Sequence, residues 1–296
     1  MNIKHCAVLA GLVVAVAASP AQEQVKTRAE ADALVKGLKY QQGEINLEGG
    51  LARLNVPAQF KYLSPDDTEI VLTRLWGNPP DKKRLGMLLP ADRSPLDPDR
   101  WAVVISFSGD GYVKDDDAGK IDYADLLKKM QSGVKENNKA RTKQGYPSIE
   151  LLGWAEPPRY DASSHKLYWA KELKFDGQPA NTLNYEIRIL GRRGVLVLSA
   201  IAAIDQLGEI EKETPQILGM VNFNEGNRYA DFDPKVDKVA TYGIAALVAG
   251  GVAAKLGLFK LLWVFVLAAK KFVIVGFLAV TAWFRRLFKR EKKTTA

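Results

Sequence analysis

The sequence predicts an α+β domain, an antiparallel β-meander with packed helices, followed by a C-terminal transmembrane helical segment. Three observations predict it. Leu183, Tyr185, Ile187 and Ile189 alternate with polar residues, and short turns at Asp176-Gly177 and Gly191 to Gly194 join them to apolar runs on either side. Strands that follow one another through short turns pair antiparallel. Helix-start signals stand at Thr27, Ser64 and Asp122. From Val239 to Trp283 the chain is mostly Ala, Gly, Val, Leu, Ile, Phe and Trp.

Taken in order, Thr27 to Glu30 reads as a capping box, and Ala31, Leu34, Val35 and Leu38 make one apolar helix face. Ile45 and Leu47, a Gly49-Gly50 turn, then Leu54 and Val56 predict a hairpin. Ser64 caps a helix with Pro65 at its first position, ending near Trp76-Gly77-Asn78-Pro79-Pro80. Trp101 to Ser108 reads as a buried strand. Asp122 caps a longer helix with Tyr123, Leu126, Leu127, Met130 and Val134 on one face. The stretch Gly153 to Asp161 combines aromatics with turn formers. Three meander strands follow: one carrying Leu167, Trp169, Leu173 and Phe175, one over 183–189, and one from Val195 to Ala202. A last helical piece starts near Asp205 and runs toward Leu218, with Pro215 as a break or restart. Asn184, Arg188 and Arg192 read as solvated positions near a meander turn.

The ends carry targeting signals. Residues 1–21 read as a signal peptide: Lys4, an apolar run from Cys6 to Ala18, and a small-residue cleavage site after Ala21, with Ala18 as the alternative. Cys6 is the only cysteine, so the processed chain holds no disulfide. The folded domain is expected over 22–235, a membrane segment of one or two helices over 236–284, and a basic tail over 285–296. As one helix, Val239 to Trp283 is about 68 Å long, roughly twice a bilayer core. Lys255, Lys260, Lys270 and Lys271 interrupt it. The basic tail favours the cytoplasm, which calls for an odd number of crossings, whereas the length suits two. A tilted span plus an interfacial helix is one solution, and a hairpin turning near Gly257 is the other.

Charge follows the same division. The net charge of +8 suggests nucleic acid at first sight, but residues 239–296 hold 10 Lys+Arg against 1 Asp+Glu. Residues 22–238 hold 31 against 33. The basicity belongs with anionic headgroups, and nucleic acid is not an expected partner.

Little catalytic chemistry remains. His165 is the single histidine after the leader, beside Ser163-Ser164 and without a nucleophile elbow, so it reads as a surface residue. No phosphate-binding glycine loop occurs. The distinctive polar run is Ser108 to Asp122. Asp110, Asp115, Asp116 and Asp117 are candidate oxygen ligands for Ca²⁺. The alternative is an Asp-rich turn serving a helix N-terminus, because an EF-hand register from Asp115 puts Lys120 where Gly is needed and Leu126 where Glu is needed. Trp76, Tyr112, Trp154 and Tyr160 are candidates for a binding surface. No other cofactor is expected.

Several strings resemble an uncharacterised bacterial family of membrane-anchored proteins, the domain of unknown function 2167. They are Trp-Gly-Asn-Pro-Pro at 76–80, Gly-Tyr-Val-Lys-Asp-Asp-Asp-Ala at 111–118, Gly-Trp-Ala at 153–155, Leu-Asn-Tyr at 183–185 and Leu-Gly-Arg at 190–192. Arg-Tyr-Ala-Asp-Phe at 228–232 and Tyr-Gly-Ile-Ala-Ala at 242–246 complete the set. The resemblance implies membrane attachment and supplies no catalytic residues. The soluble part also resembles the small α+β sandwich of the Mog1 and PsbP type, in its Val56 to Phe60 element, its meander and its final helix running into a strand.

The expected function is a non-enzymatic binding or accessory role in the bacterial envelope. The main domain would face the periplasm or exterior from the cytoplasmic membrane. Its expected partners are the lipid bilayer and an envelope protein or a second copy. A divalent-cation sensor and a hydrolase with paired carboxylates are the alternatives.

Overall fold

The structure, a computed structural model, describes residues 25–250 apart from 79, 82 and 144. The leader, the tail and the expected membrane segment from residue 251 onward lie outside the described residues. The described residues form one compact unit. Among the described residues no helix is long and apolar enough to cross a membrane.

The elements follow in chain order. Helix α1 (Arg28–Gly37) starts where predicted, with the Thr27 side chain accepting from the Glu30 amide. Glu30 in turn accepts from the Lys26 amide rather than that of Thr27. Strands β1 (Tyr40–Gln41), β2 (Gly43–Leu47), β3 (Ala52–Val56) and β4 (Phe60–Leu63) follow, with β2 and β3 as the expected hairpin. Helix α2 (Pro65–Glu69), capped by Ser64, runs on into a π turn over Ile70–Leu75. Strands β5 (Arg84–Pro90) and β6 (Ala102–Ser108) lead to α3 (Tyr123–Lys143), whose first turn donates to Asp122 from Ala124 and Asp125. Then come β7 (Ile149–Asp161), β8 (Lys166–Phe175), β9 (Thr182–Leu190) and β10 (Val195–Ala203). Helix α4 (Leu207–Met220) leads into β11 (Val221–Phe223), and a short α5 (Ile244–Val248) ends the described chain.

Eight strands make one antiparallel sheet in the order β1-β4-β5-β6-β10-β9-β8-β7, and β11-β3-β2 make a second. One face of the large sheet meets the small sheet and α4 through a core that includes Leu54, Phe60, Trp101, Tyr185, Leu198, Ile210 and Ile217. Alternation puts Val195 and Ile201 of β10 on the opposite face. There the π-turn residues Val71 and Leu72 cover Met87 and Val104. Ile244, Leu247 and Val248 of α5 cover Trp169, Leu190 and Val195.

Two expectations are corrected. Pro215 lies inside α4 without breaking it, because it is on the exposed side while Ile210, Thr214 and Ile217 hold the other side in the core. The stretch 153–161 is part of a strand. Its Pro157 and Pro158 are accommodated because β7 is the sheet edge, where register shifts interrupt the ladder. The start of that edge is capped by α3. Asn138 donates to the Ile149 carbonyl at 2.8 Å and accepts from its amide at 2.9 Å, as a neighbouring strand would. Gln131 donates to the carbonyl of Leu151 at 3.1 Å.

Candidate functional site: an aromatic and acidic clasp

Most of the acidic run is bonded to the chain itself. After β6 the chain turns at Gly111, whose φ of +114° favours glycine and whose Cα has the Lys238 carbonyl packed against it. Tyr112 then donates its amide to the Lys238 carbonyl and accepts from the Ala240 amide, both at 2.8 Å. This single parallel bridge fixes residues 238–248 as a strap against the domain.

Side chains complete the hold. The Tyr242 hydroxyl donates to Asp110 at 2.7 Å, and Asp110 also accepts from Ser108. Asp117 accepts from the amides of Ile244 and Ala245 at 2.9 and 3.1 Å, capping the first turn of α5. Gly243 is needed there, since a Cβ would stand 2.6 Å from the Asp117 carboxylate. Tyr112 stacks between Tyr229 and Phe232, with centroids at 4.4 and 3.9 Å. Tyr229 donates to the Val113 carbonyl, and the His165 ring leans on Tyr229. Asp237 accepts from Arg192 at 2.6 Å and Arg193 at 3.2 Å.

The sequence candidates therefore separate. Tyr112, Trp154 and Tyr160 pack into one cluster, with the Trp154 indole donating to the Tyr123 carbonyl and the Tyr160 hydroxyl to Asp115 at 2.6 Å. Trp76 stands elsewhere, bonded to the Pro95 carbonyl. Asp110, Asp115 and Asp117 each serve a different protein partner, and Asp116 is exposed. Among the described residues no three His, Cys, Asp or Glu side chains are grouped closely enough to hold one ion.

The electrostatics follow from these bonds. Burial works to raise the Asp115 carboxyl, but hydrogen bonds from Tyr160, its own backbone and Tyr229, together with His165, hold it below the ordinary range. Burial and then the Asp115 carboxylate push Tyr160 up. Burial and the Asp110 carboxylate do the same to Tyr242. Asp237, bonded to Arg192 and to the Asp233 amide, is lowered to about 2. Near neutral pH Tyr160 and Tyr242 are therefore neutral donors, and Asp115 and Asp237 ionised acceptors, an arrangement suited to holding shape. The hydroxyls of Ser163 and Ser164 both donate to Asp161 at 2.6 Å, not to His165. His165 is half-buried at positive φ, 3.2 Å from the Tyr160 hydroxyl, and is a member of the cluster more than a surface residue.

Sequence reasoning missed a polar patch beside the clasp. Asn184, Glu186 and Arg188 share one face of β9, and Lys171 and Ser199 flank them on β8 and β10. All five are buried, Glu186 completely. Glu186 accepts from Arg188 at 2.5 Å and Ser199 at 2.8 Å, with the Lys171 ammonium at 3.8 Å. Burial lowers the Lys171 pKa, and Glu186 only partly opposes that. The expectation that Asn184 and Arg188 are solvated is corrected, because β9 is an interior strand with both faces covered. Arg192, read the same way, is a clasp residue that pairs with Asp237. The readable signal was three polar residues in a row on one face of a strand whose other face is wholly apolar.

Comparison with known proteins adds the following. No curated protein matches the sequence. Solved structures similar to it include a cyanobacterial PsbP from Synechocystis sp., 11% identical over 63% of this chain and 94% of that one, with a TM-score of 0.33. LpqN of Mycobacterium tuberculosis, described as involved in cell envelope biogenesis, is 14% identical over 69% and 99%, at 0.32. The Ran-binding protein Mog1p of Saccharomyces cerevisiae is 11% identical over 62% and 95%, also at 0.32. Residues 39–281 match the family described as "Protein of unknown function (DUF2167)", and the chain belongs to that family.

Proposed function

We propose that this member of the DUF2167 family is a non-enzymatic accessory domain of the bacterial envelope. The leader exports it, the chain beyond Gly250 tethers it to the cytoplasmic membrane, and its exposed surface binds an envelope protein partner. The observation that carries this reading is the clasp itself. Asp110, Asp117 and the backbone of Tyr112 are engaged with the strap over 238–248, which joins the folded sheet to the apolar sequence that follows. A tether joined to its domain by several separate bonds sets the orientation of that domain at a surface, which a loose linker does not. Five of the seven family strings, at 111–118, 153–155, 190–192, 228–232 and 242–246, contribute to this one region.

Two measurements on the full chain test it. Glu136 is exposed on α3, and the processed chain has no cysteine. A Glu136→Cys variant should react with an impermeant maleimide in intact spheroplasts, and a Thr294→Cys variant only after lysis. Labelling of the Glu136 position only after lysis contradicts an exported domain. Extraction in mild detergent should then recover a stoichiometric partner, whereas a lone monomer across several detergents counts against the accessory role.

A further inference from the structure

Trp76 lines a pocket of about 590 Å³ that no clasp residue touches. Lys26, Arg28, Arg74 and Arg100 line it with Trp76 and Gln178, and none of the described residues lining it is acidic. The π turn over Ile70–Leu75 delivers Arg74, Trp76 and Gly77 to the pocket wall. Such widened turns recur at functional sites because they re-aim the side chains that follow. The turn is closed by two bonds from Asn78, amide and side chain, to the Leu72 carbonyl at 2.7 and 3.1 Å. Arg100 is half-buried with its guanidinium 5.6 Å from the Trp76 ring centroid.

Neighbouring carboxylates neutralise part of this charge. Asp32 pairs with Arg28 at 3.1 Å, Asp97 lies near Arg100, and Glu30 accepts from the Lys26 amide. The side chains of Arg74 and Lys26 have no carboxylate partner among the described residues. The first turn of the ten-residue α1 lies at the rim and adds the positive end of its dipole.

The geometry points to a binding site for a phosphate-class anion, gripped by Arg74 and Arg100 beside the Trp76 ring, with Lys26 at the rim. Planar guanidinium groups suit an anion with several oxygens, where paired N–H donors are met at once. A phospholipid headgroup and a free phosphate compound share this chemistry. The site is independent of the accessory reading above.

The test uses the full chain in neutral detergent, titrated calorimetrically with inorganic phosphate and, separately, with short-chain phosphatidylglycerol below its micelle concentration. Binding of at least one probe is expected, weakened about tenfold or more by Arg74→Gln. Arg74 is exposed, so this variant should melt with the wild type when no ligand is present. Binding of the lipid alone assigns a headgroup site, and binding of inorganic phosphate assigns a free-phosphate site. Neither probe binding up to about 10 mM overturns the proposal. So does binding that Arg74→Gln and Arg74→Gln with Arg100→Gln leave unchanged, which would place the anion on the basic tail. Should the double variant fail to fold, the single variant still decides.

Discussion

Gly111 shows how one residue fixes the clasp. It takes a left-handed φ, and a Cβ there would stand 2.6 Å from the Lys238 carbonyl. Gly111→Ala should therefore destabilise by about 2 kcal/mol or more, read as a lower urea midpoint. Glu186 is the second such residue. It is fully buried and holds Arg188, so Glu186→Ala leaves cationic side chains uncompensated in the interior. The expected loss is about 3–5 kcal/mol, a large part of a domain's whole stability. An urea midpoint within error of the wild type would show that the patch is hydrated. Asp237 gives a pH signature. Its carboxyl is depressed from the ordinary value of 3.8 to about 2. A depressed carboxylate contributes stability above its unfolded pKa and loses it as pH falls through the folded one. The stability gap between wild type and Asp237→Asn should thus be full above pH 4 and shrink as pH falls to about 2. A gap constant across that window would mean the ion pairs with Arg192 and Arg193 are not formed.

Elements were legible to the extent that their signals are local. Ser64 with Pro65, Asp122 and the Gly49-Gly50 turn each act within four residues, and each marks an element boundary in the structure. The alternation over 183–189 gave β9 and its apolar face. Strand β7 was not legible, because Pro157-Pro158 reads as a turn unless the strand is known to be an edge. Strand β5 was missed as well, with Gly86 at a register shift and Pro90 at its end. The amide pair that protects the β7 edge depends on Asn138 meeting Ile149 across a turn. Asn138→Ala removes both bonds and should cost about 1–3 kcal/mol. Hydrogen exchange at the Ile149 amide should rise before that of β9, and unchanged exchange would remove Asn138 from this role.

At the scale of the molecule the site was half legible. The acidic run and the aromatic candidates stood out as strings, but their partners did not. Asp110 meets Tyr242 and Asp117 meets Ile244 across more than a hundred residues, and no local rule reports such pairings. The buried patch was hidden for the same reason. Alternation tells which residues share a face, and only the packing of α5 and the π turn tells that the face is covered. The two faces then take different tasks, one a closed apolar core and the other the docking place for the strap.

The strap is part of the folded domain, and native-state hydrogen exchange on the full chain tests this most directly. The amides of Tyr112, Ala240, Ile244 and Ala245 are bonded across the clasp and should exchange slowly in the wild type. In an Asp117→Asn, Tyr242→Phe variant, exchange over 240–248 should accelerate while β9 and β10 stay protected. Exchange of 240–248 at unprotected rates in the wild type would show a free linker, and the clasp could not then orient the domain.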